Sequence, residues 1–156
     1  MENNDMNIQN IIYKAGTASQ EQIYLHFMEC DADFISSLNE KVNIAAYSKK
    51  LFENSITFEA WDDNKLAGLI AAYFNDTKNK AGFITNVSII KIWKGRGIAS
   101  ELLNACIQYA QQNNYSEIKL EVSDKNKEAI HLYEKFNFHV IKNKNDLRIM
   151  KLDLSK

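Results

Sequence analysis

Apolar and polar positions along this chain change period repeatedly, from extended to helical and back. Residues 10–15 (NIIYKA) are short and rich in β-branched side chains, which predicts a first strand. Thr17 or Ser19 can then cap a helix, with Gln20 or Gln22 three residues on as the capping-box partner. That helix is expected to run to about Cys30, with Ile23, Phe27 and Tyr24 facing inward. Residues 31–39 fit either a helical turn or a loop. From 43 to 53, Ile44, Tyr47, Leu51 and Phe52 recur at helical spacing.

The period shortens in the middle of the chain. Residues 56–61 (ITFEAW) read as a strand, Asp62, Asp63 and Asn64 as a hairpin turn, and 66–74 (LAGLIAAYF) as the returning strand. After a polar turn at 75–80, residues 81–90 give the next strand, so this part is an antiparallel meander. Residues 97–112 return to helical spacing: Ile98, Leu102, Ala105 and Tyr109 line one side, with Leu103, Cys106 and Ala110 beside them. Residues 118–122 (IKLEV) form a strand reached through that helix, hence parallel to the strand before it. A helix over 126–136, a strand over 138–142, a turn over 142–146 and a closing strand over 147–154 complete the order. This sequence of elements predicts an α+β fold with a mixed sheet.

Composition changes this picture little. A length of 156 residues suits one domain over 1–156, with residues 1–9 as a frayed polar tail. A net charge of −1 argues against a nucleic-acid or membrane-surface partner, both of which favour basic excess. No apolar run approaches a membrane span, and the polar residues 1–10 show no signal-peptide pattern, so a cytoplasmic setting is expected. Cys30 and Cys106 have no metal-ligand spacing and no disulfide framework, and His26 and His139 complete no metal constellation. No metal is expected.

The stretch that carries chemistry is residues 89–103, IIKIWKGRGIASELL. A strand that turns through glycines into a helix N-terminus is a device for holding phosphate. The first-turn N–H groups lack helical partners, and the helix dipole favours negative charge there. Three glycine turns compete. The P-loop fails, because no Gly-Lys-Ser/Thr follows a four-residue spacer. The dinucleotide pattern is half matched by Gly95, Gly97 and Ser100, with Glu121 about twenty residues on. Its flanks, however, are an antiparallel meander rather than repeated βα units.

The third turn is met by Lys94-Gly95-Arg96-Gly97-Ile98-Ala99, which resembles the Q/R-x-x-G-x-G/A motif of the GCN5-related N-acetyltransferases. A second segment agrees: Leu120-Glu121-Val122, Asn126, then 129–138 (AIHLYEKFNF), similar to that family's strand and its N-x-x-A-I-x-L-Y-E-K-x-G-F helix. The resemblance covers the chain from about residue 56 onward. Lys94 stands where the family has Arg or Gln, which keeps the charge but loses planar, bidentate donation. Asn137 replaces a glycine, and Asn tolerates the left-handed conformation of a helix C′ position.

The resemblance implies a mostly antiparallel mixed sheet of about six or seven strands flanked by about four helices, with a splayed parallel pair at the cofactor site. It implies acetyl-coenzyme A as acetyl donor. Its pantetheine arm would lie against backbone at Val87, Ser88 and Ile89, and its pyrophosphate on the turn Lys94, Gly95, Arg96, Gly97, Ile98, Ala99 and Ser100. It makes Tyr133 the general acid, a phenol that with a pKa of roughly 10 stays protonated at neutral pH. Packing on the apolar helix face explains Tyr133 equally by spacing alone. Asn126 would contact the cofactor arm, and it also fits a helix N-cap.

Glu121 is a candidate base, because Ile118, Leu120 and Val122 alternate onto one strand face and leave Lys119 and Glu121 on the other. An ordinary strand glutamate paired with a lysine is the alternative. Lys125, Lys127 and His131 read as surface residues and Trp93 as a packing anchor. Tyr24, Phe27, Phe34 and Tyr47 lie where the family forms its acceptor site. The implied acceptor is a primary amine of a small molecule or a peptide, and the resembled family commonly forms homodimers. A non-catalytic acyl-CoA-binding module of the same fold is the second reading.

Overall fold

Strand, helix and turn signals alternate along the chain, and the computed structural model, which describes residues 7–30 and 38–154, follows them closely. The described elements are β1 (Ile12–Ala15), α1 (Gln20–Cys30), α2 (Leu38–Asn54), β2 (Ile56–Asp62), β3 (Lys65–Asp76), β4 (Ala81–Ile89), α3 (Ile98–Gln112), β5 (Glu117–Ser123), α4 (Lys127–Lys135), β6 (His139–Lys144) and β7 (Leu147–Asp153). The sheet order is β1-β2-β3-β4-β5-β7-β6, with β4 and β5 parallel and β1–β2, β5–β7 and β6–β7 antiparallel. The expected α+β class is therefore observed. Among the described residues no helix is long and apolar enough to cross a membrane. Two compact units make up the chain, one drawn from residues up to Ala71 with Asn86–Ala105, the other from Ala72–Thr85 with the residues from Cys106 onward.

In the first unit, α1 starts where the sequence places a capping box. Ser19 Oγ accepts from Gln22 N–H (3.1 Å) and Gln22 Oε1 accepts from Ser19 N–H (2.8 Å), so two end groups satisfy each other. Thr17, the other candidate cap, turns to Glu59 on β2 instead. Glu59 is fully buried, and its carboxylate accepts from Thr17 N–H (2.8 Å), Thr17 Oγ1 (2.5 Å), Ala18 N–H (2.9 Å), Thr57 Oγ1 (2.5 Å) and Trp61 Nε1 (3.0 Å). Burial pushes its pKa up, but the donors from Thr17, Thr57, Ala18 and Trp61 together hold it below the usual carboxylate value. One carboxylate thereby ties the β1–α1 connection to the middle of β2.

The structure moves several expected boundaries. Residues 1–6 of the expected frayed tail lie outside the described residues, whereas Ile8–Asn10 form a 3-10 turn capped by the Asn7 side chain. Residues 31–37, including Phe34, also lie outside them. Helix α2 begins at Leu38, ahead of the expected start at 43. Phe52, one of the apolar residues recurring at helical spacing, is 50% exposed, while Ser48 is buried with its hydroxyl donating to Ile44 O.

In the second unit, β5 pairs with β4 from Ala81↔Glu117 to Ile84↔Leu120 and with β7 along its full length to Ser123↔Leu147. Ile118, Leu120 and Val122 are buried, as the alternation predicts. Cys106 is buried, and burial alone pushes its thiol up to about 12, which makes it inert. Helix α4 ends in a Schellman motif: Phe138 N–H donates to Tyr133 O (3.0 Å) and Asn137 N–H to Glu134 O (2.9 Å). Asn137 has φ 74°, the left-handed conformation expected of it.

Glu59 generates a stability prediction. Its folded pKa lies below its unfolded value of about 4.3, so its contribution is complete above that value and is lost as pH falls through the folded pKa. Glu59→Gln places an amide against donors and is expected to cost about 1–3 kcal/mol at pH 7. Denaturant unfolding of both proteins from pH 7 to pH 3 is expected to show the gap narrowing with acid. A gap that stays constant or widens contradicts the assignment.

Candidate functional site

Strand β4 runs toward the glycine turn through Asn86, Val87, Ser88 and Ile89, all half-buried. Ile90 N–H donates to Ala67 O on β3 (2.8 Å), which fixes where the strand ends. A 3-10 turn at Lys91–Trp93 follows, and Trp93, 1% exposed, anchors it in the core, the packing role its position suggested. Lys94, Gly95, Arg96 and Gly97 are all exposed, and the Arg96 guanidinium carbon lies 5.4 Å from the Trp93 ring centroid.

Two glycines shape the turn. Gly95 has φ 77° and Gly97 φ 88°, and a Cβ built on either would meet nothing within 4 Å. Glycine is needed there for backbone conformation, and the space above the turn is open. The first bond of α3 runs from Glu101 N–H to Gly97 O (3.2 Å), which leaves the earlier N–H groups of this helix end without helical acceptors. Ile98 is 1% exposed, so its side chain belongs to the core and only its backbone can serve a ligand.

Beneath the turn, Gly68 acts through space instead. A Cβ there would lie 2.8 Å from Ile98 Cγ2, 3.0 Å from Ile89 Cδ1 and 3.3 Å from Leu102 Cδ1. The missing side chain lets the first turns of α3 sit directly on β3. The cofactor residues expected in this unit, Val87, Ser88, Ile89 and Lys94 to Ser100, thus form one continuous strand–turn–helix segment with an open, basic, donor-bearing end.

The second unit carries the remaining candidates. Tyr133 is 5% exposed, its ring 5.8 Å from that of Phe138, the contact that accompanies the Schellman end of α4. Burial pushes its phenol up to about 12, so it is a proton donor throughout the neutral range. Asn126 is exposed and caps α4, its Oδ1 accepting from Ala129 N–H (3.2 Å). Glu121 is exposed, opposite Ile149 on β7 and one residue beyond the last β4 rung at Leu120. Lys119 pairs with Glu117 (3.5 Å), so that lysine has a partner other than Glu121. His131 is exposed, 4.0 Å from Glu134 Oε1, the surface position expected of it.

His26, which completes no metal constellation, is not among the site residues that the sequence points to. It is 2% exposed, and its ring contacts Leu66 O (2.7 Å from Nδ1) and Ser88 Oγ (2.8 Å from Nε2). The available signal was its place on the inward stripe of α1 with Ile23 and Phe27, both buried.

Comparison with known proteins adds to this geometry. The family described as "Acetyltransferase (GNAT) family" matches residues 21–138. "N-alpha-acetyltransferase MAK3" of Arabidopsis thaliana is 33% identical over 84 residues, covering 53% of this chain and 44% of that protein. The chain thus spans about half the length of this curated relative. Among solved structures, PH1933 of Pyrococcus horikoshii OT3 superposes with a TM-score of 0.76 at 21% identity, covering 93% of this chain and 100% of that one. The PaiA N-acetyltransferase of Thermoplasma acidophilum, solved with coenzyme A, superposes with a TM-score of 0.70 at 15% identity, covering 92% and 99%.

The two kinds of glycine separate experimentally. Gly97→Ala is expected to cost about 1–2 kcal/mol from left-handed backbone strain, and Gly68→Ala about 1–3 kcal/mol from overpacking. Asn, which tolerates positive φ, is expected to recover part of the loss at 97 and to deepen it at 68. Denaturant unfolding of the four variants checks this. Equal behaviour of Asn at the two positions contradicts it.

Proposed function

The chain belongs to the acetyltransferase (GNAT) family, and from that premise we propose that it is an acetyl-coenzyme A-dependent N-acetyltransferase acting on a primary amine of a small molecule or a peptide. The observation that carries this reading is the turn at Gly95 and Gly97. Two left-handed glycines, open space above them, exposed Lys94 and Arg96 and the donor-bearing start of α3 suit a pyrophosphate. The matched Arabidopsis and Thermoplasma proteins, both named as N-acetyltransferases, agree with it.

When bound, the cofactor supplies a thioester whose carbonyl carbon an amine attacks, giving an amide and a free thiol through a tetrahedral intermediate. The residues of this chain serve that chemistry as follows. Backbone at Val87, Ser88 and Ile89 lies along the pantetheine arm, and an N–H of this strand receives the oxyanion. N–H groups from Gly95 to Ser100 take the pyrophosphate, with Lys94 and Arg96 adding charge. Asn126 keeps its capping bond through Oδ1 and offers its amide to the arm. Tyr133 gives its phenolic proton to the departing sulfur. Its burial keeps the phenol protonated across the neutral range, so the proton is available whenever the sulfur departs. Glu121 is one candidate to accept the amine proton, directly or through water.

Saturating acetyl-CoA, at one hundred times its dissociation constant, is expected to stabilise the protein by roughly 2.7 kcal/mol. No thermal shift with acetyl-CoA overturns the reading. Tyr133→Phe is expected to keep that shift while kcat falls about 10²–10⁴-fold on an amine panel. With Tyr133 raised to about 12, the wild type should show no alkaline loss of the acid below pH 10. Full activity of Tyr133→Phe removes it as the acid, and binding without turnover by the wild type favours a non-catalytic acyl-CoA-binding module.

A further inference from the structure

An imidazole sealed inside the first unit stands behind the strand that the proposed function gives to the cofactor arm. His26 Nδ1 lies 2.7 Å from Leu66 O, and a carbonyl only accepts, so Nδ1 carries a proton. Nε2 lies 2.8 Å from Ser88 Oγ, and Ser88 Oγ lies 2.8 Å from Asn86 Oδ1. With Ser88 O–H donating to Asn86 Oδ1, the serine oxygen accepts from Nε2–H and the ring is an imidazolium. With the hydroxyl rotated onto Nε2, the ring is neutral. The same heavy-atom positions therefore hold His26 in both protonation states, the neutral one requiring the Ser88 hydroxyl to turn and the Asn86 amide to flip so that Nδ2 donates to Ser88 Oγ. A histidine buried purely for packing needs one such state.

We propose that His26 is a positioning residue that acts through Ser88 to receive the proton released by the acceptor amine. The inference rests on the proposed function, because Ser88 lies on the Val87–Ile89 segment assigned there to the cofactor arm. As the ammonium of the acceptor loses N–H, that proton passes to Ser88 Oγ while the serine proton passes to His26 Nε2. The amine keeps its lone pair for the thioester carbonyl, and the positive charge moves to the ring, where Leu66 O already accepts from Nδ1–H. His26 also lines a cavity of about 450 Å³ that has Leu25, Met28, Leu66 and Ile90 as apolar wall and a Glu29–Lys65 ion pair (3.1 Å) at its polar side. Glu121, exposed on β5, has no comparable enclosure.

Among the described residues, His26 meets Cys30 and Phe27 of its own helix, with Cys30 Sγ 3.5 Å from Nε2, Ser88 on β4, itself bonded to Asn86, and the Leu66 carbonyl on β3; Glu29 and Lys65 share its cavity. Among these only the Glu29–Lys65 pair is formally charged, and its two charges oppose each other.

The test is the pH profile of kcat/KM with acetyl-CoA and two amines, a short peptide with a free α-amino group of pKa about 7.7–8.0 and n-butylamine, whose pKa resembles the lysine value of about 10.4. In the wild type the acid limb is expected to fall at the same pH for both amines, because the enzyme supplies the base. In His26→Gln the limb is expected to follow each amine's own pKa, with n-butylamine losing at least about 100-fold at pH 7 and the thermal shift with acetyl-CoA unchanged. Ser88→Ala leaves the ring and its Leu66 bond in place and is expected to match His26→Gln, which keeps the test intact should the histidine variant misfold. A wild-type limb that already follows the amines overturns the proposal. So does an unchanged limb in both variants, or its loss only in Glu121→Gln, which returns the base role to that carboxylate. A wild type with a thermal shift but no turnover of either amine overturns the relay together with the catalytic reading, whereas turnover with an amine-dependent limb overturns the relay alone.

Discussion

The absence of a side chain at Gly68 is the constraint on which the first unit depends. Ile98, Ile89 and Leu102 occupy the space a Cβ would fill, and this contact sets the height of α3 above β3. The helix end then meets the end of β4 across a turn short enough to need two left-handed glycines. The Ile90 to Ala67 bond holds the strand side of the turn and buried Trp93 holds its middle. A backbone so fixed presents its N–H groups without an ordering cost at the moment of binding, which is the physical advantage of a preformed anion site.

A different device fixes Tyr133 in the second unit. Tyr133 is the residue whose carbonyl closes the Schellman motif and whose ring meets Phe138 beyond it. Asn137 makes that ending feasible by accepting positive φ. The phenol is therefore located by how α4 stops, and the burial that results is what raises its pKa. Burial is the property that both readings of this side chain share, so the choice between core tyrosine and general acid that spacing alone leaves open is not a choice between locations.

The local grammar of the chain was readable because its signals are short-range. The Ser19–Gln22 capping box, the left-handed Asn137 and the alternation of Ile118, Leu120 and Val122 each involve residues within a few positions of one another. Glu59 and His26 were not readable for the opposite reason. A glutamate in a strand reads as solvent-facing, and the Thr17 and Ala18 groups that satisfy it come from 42 and 41 residues upstream. The partner of His26 on β4 is 62 residues away, so nothing near it in sequence distinguishes a relay from a packed ring. Phe52 lies outside the buried face because helical spacing defines a face but not its width, and the buried stripe of α2 passes through Ser48 and Leu51 instead.

Amide chemical shifts of the 15N-labelled protein during titration with coenzyme A test the central claim most directly. The largest changes are expected on the N–H groups of Gly95 to Ser100, with further changes at Val87, Ser88 and Ile89. Saturable binding that leaves the Gly95–Ser100 amides unmoved would contradict it, because a pyrophosphate held by that turn must deshield the groups that hold it.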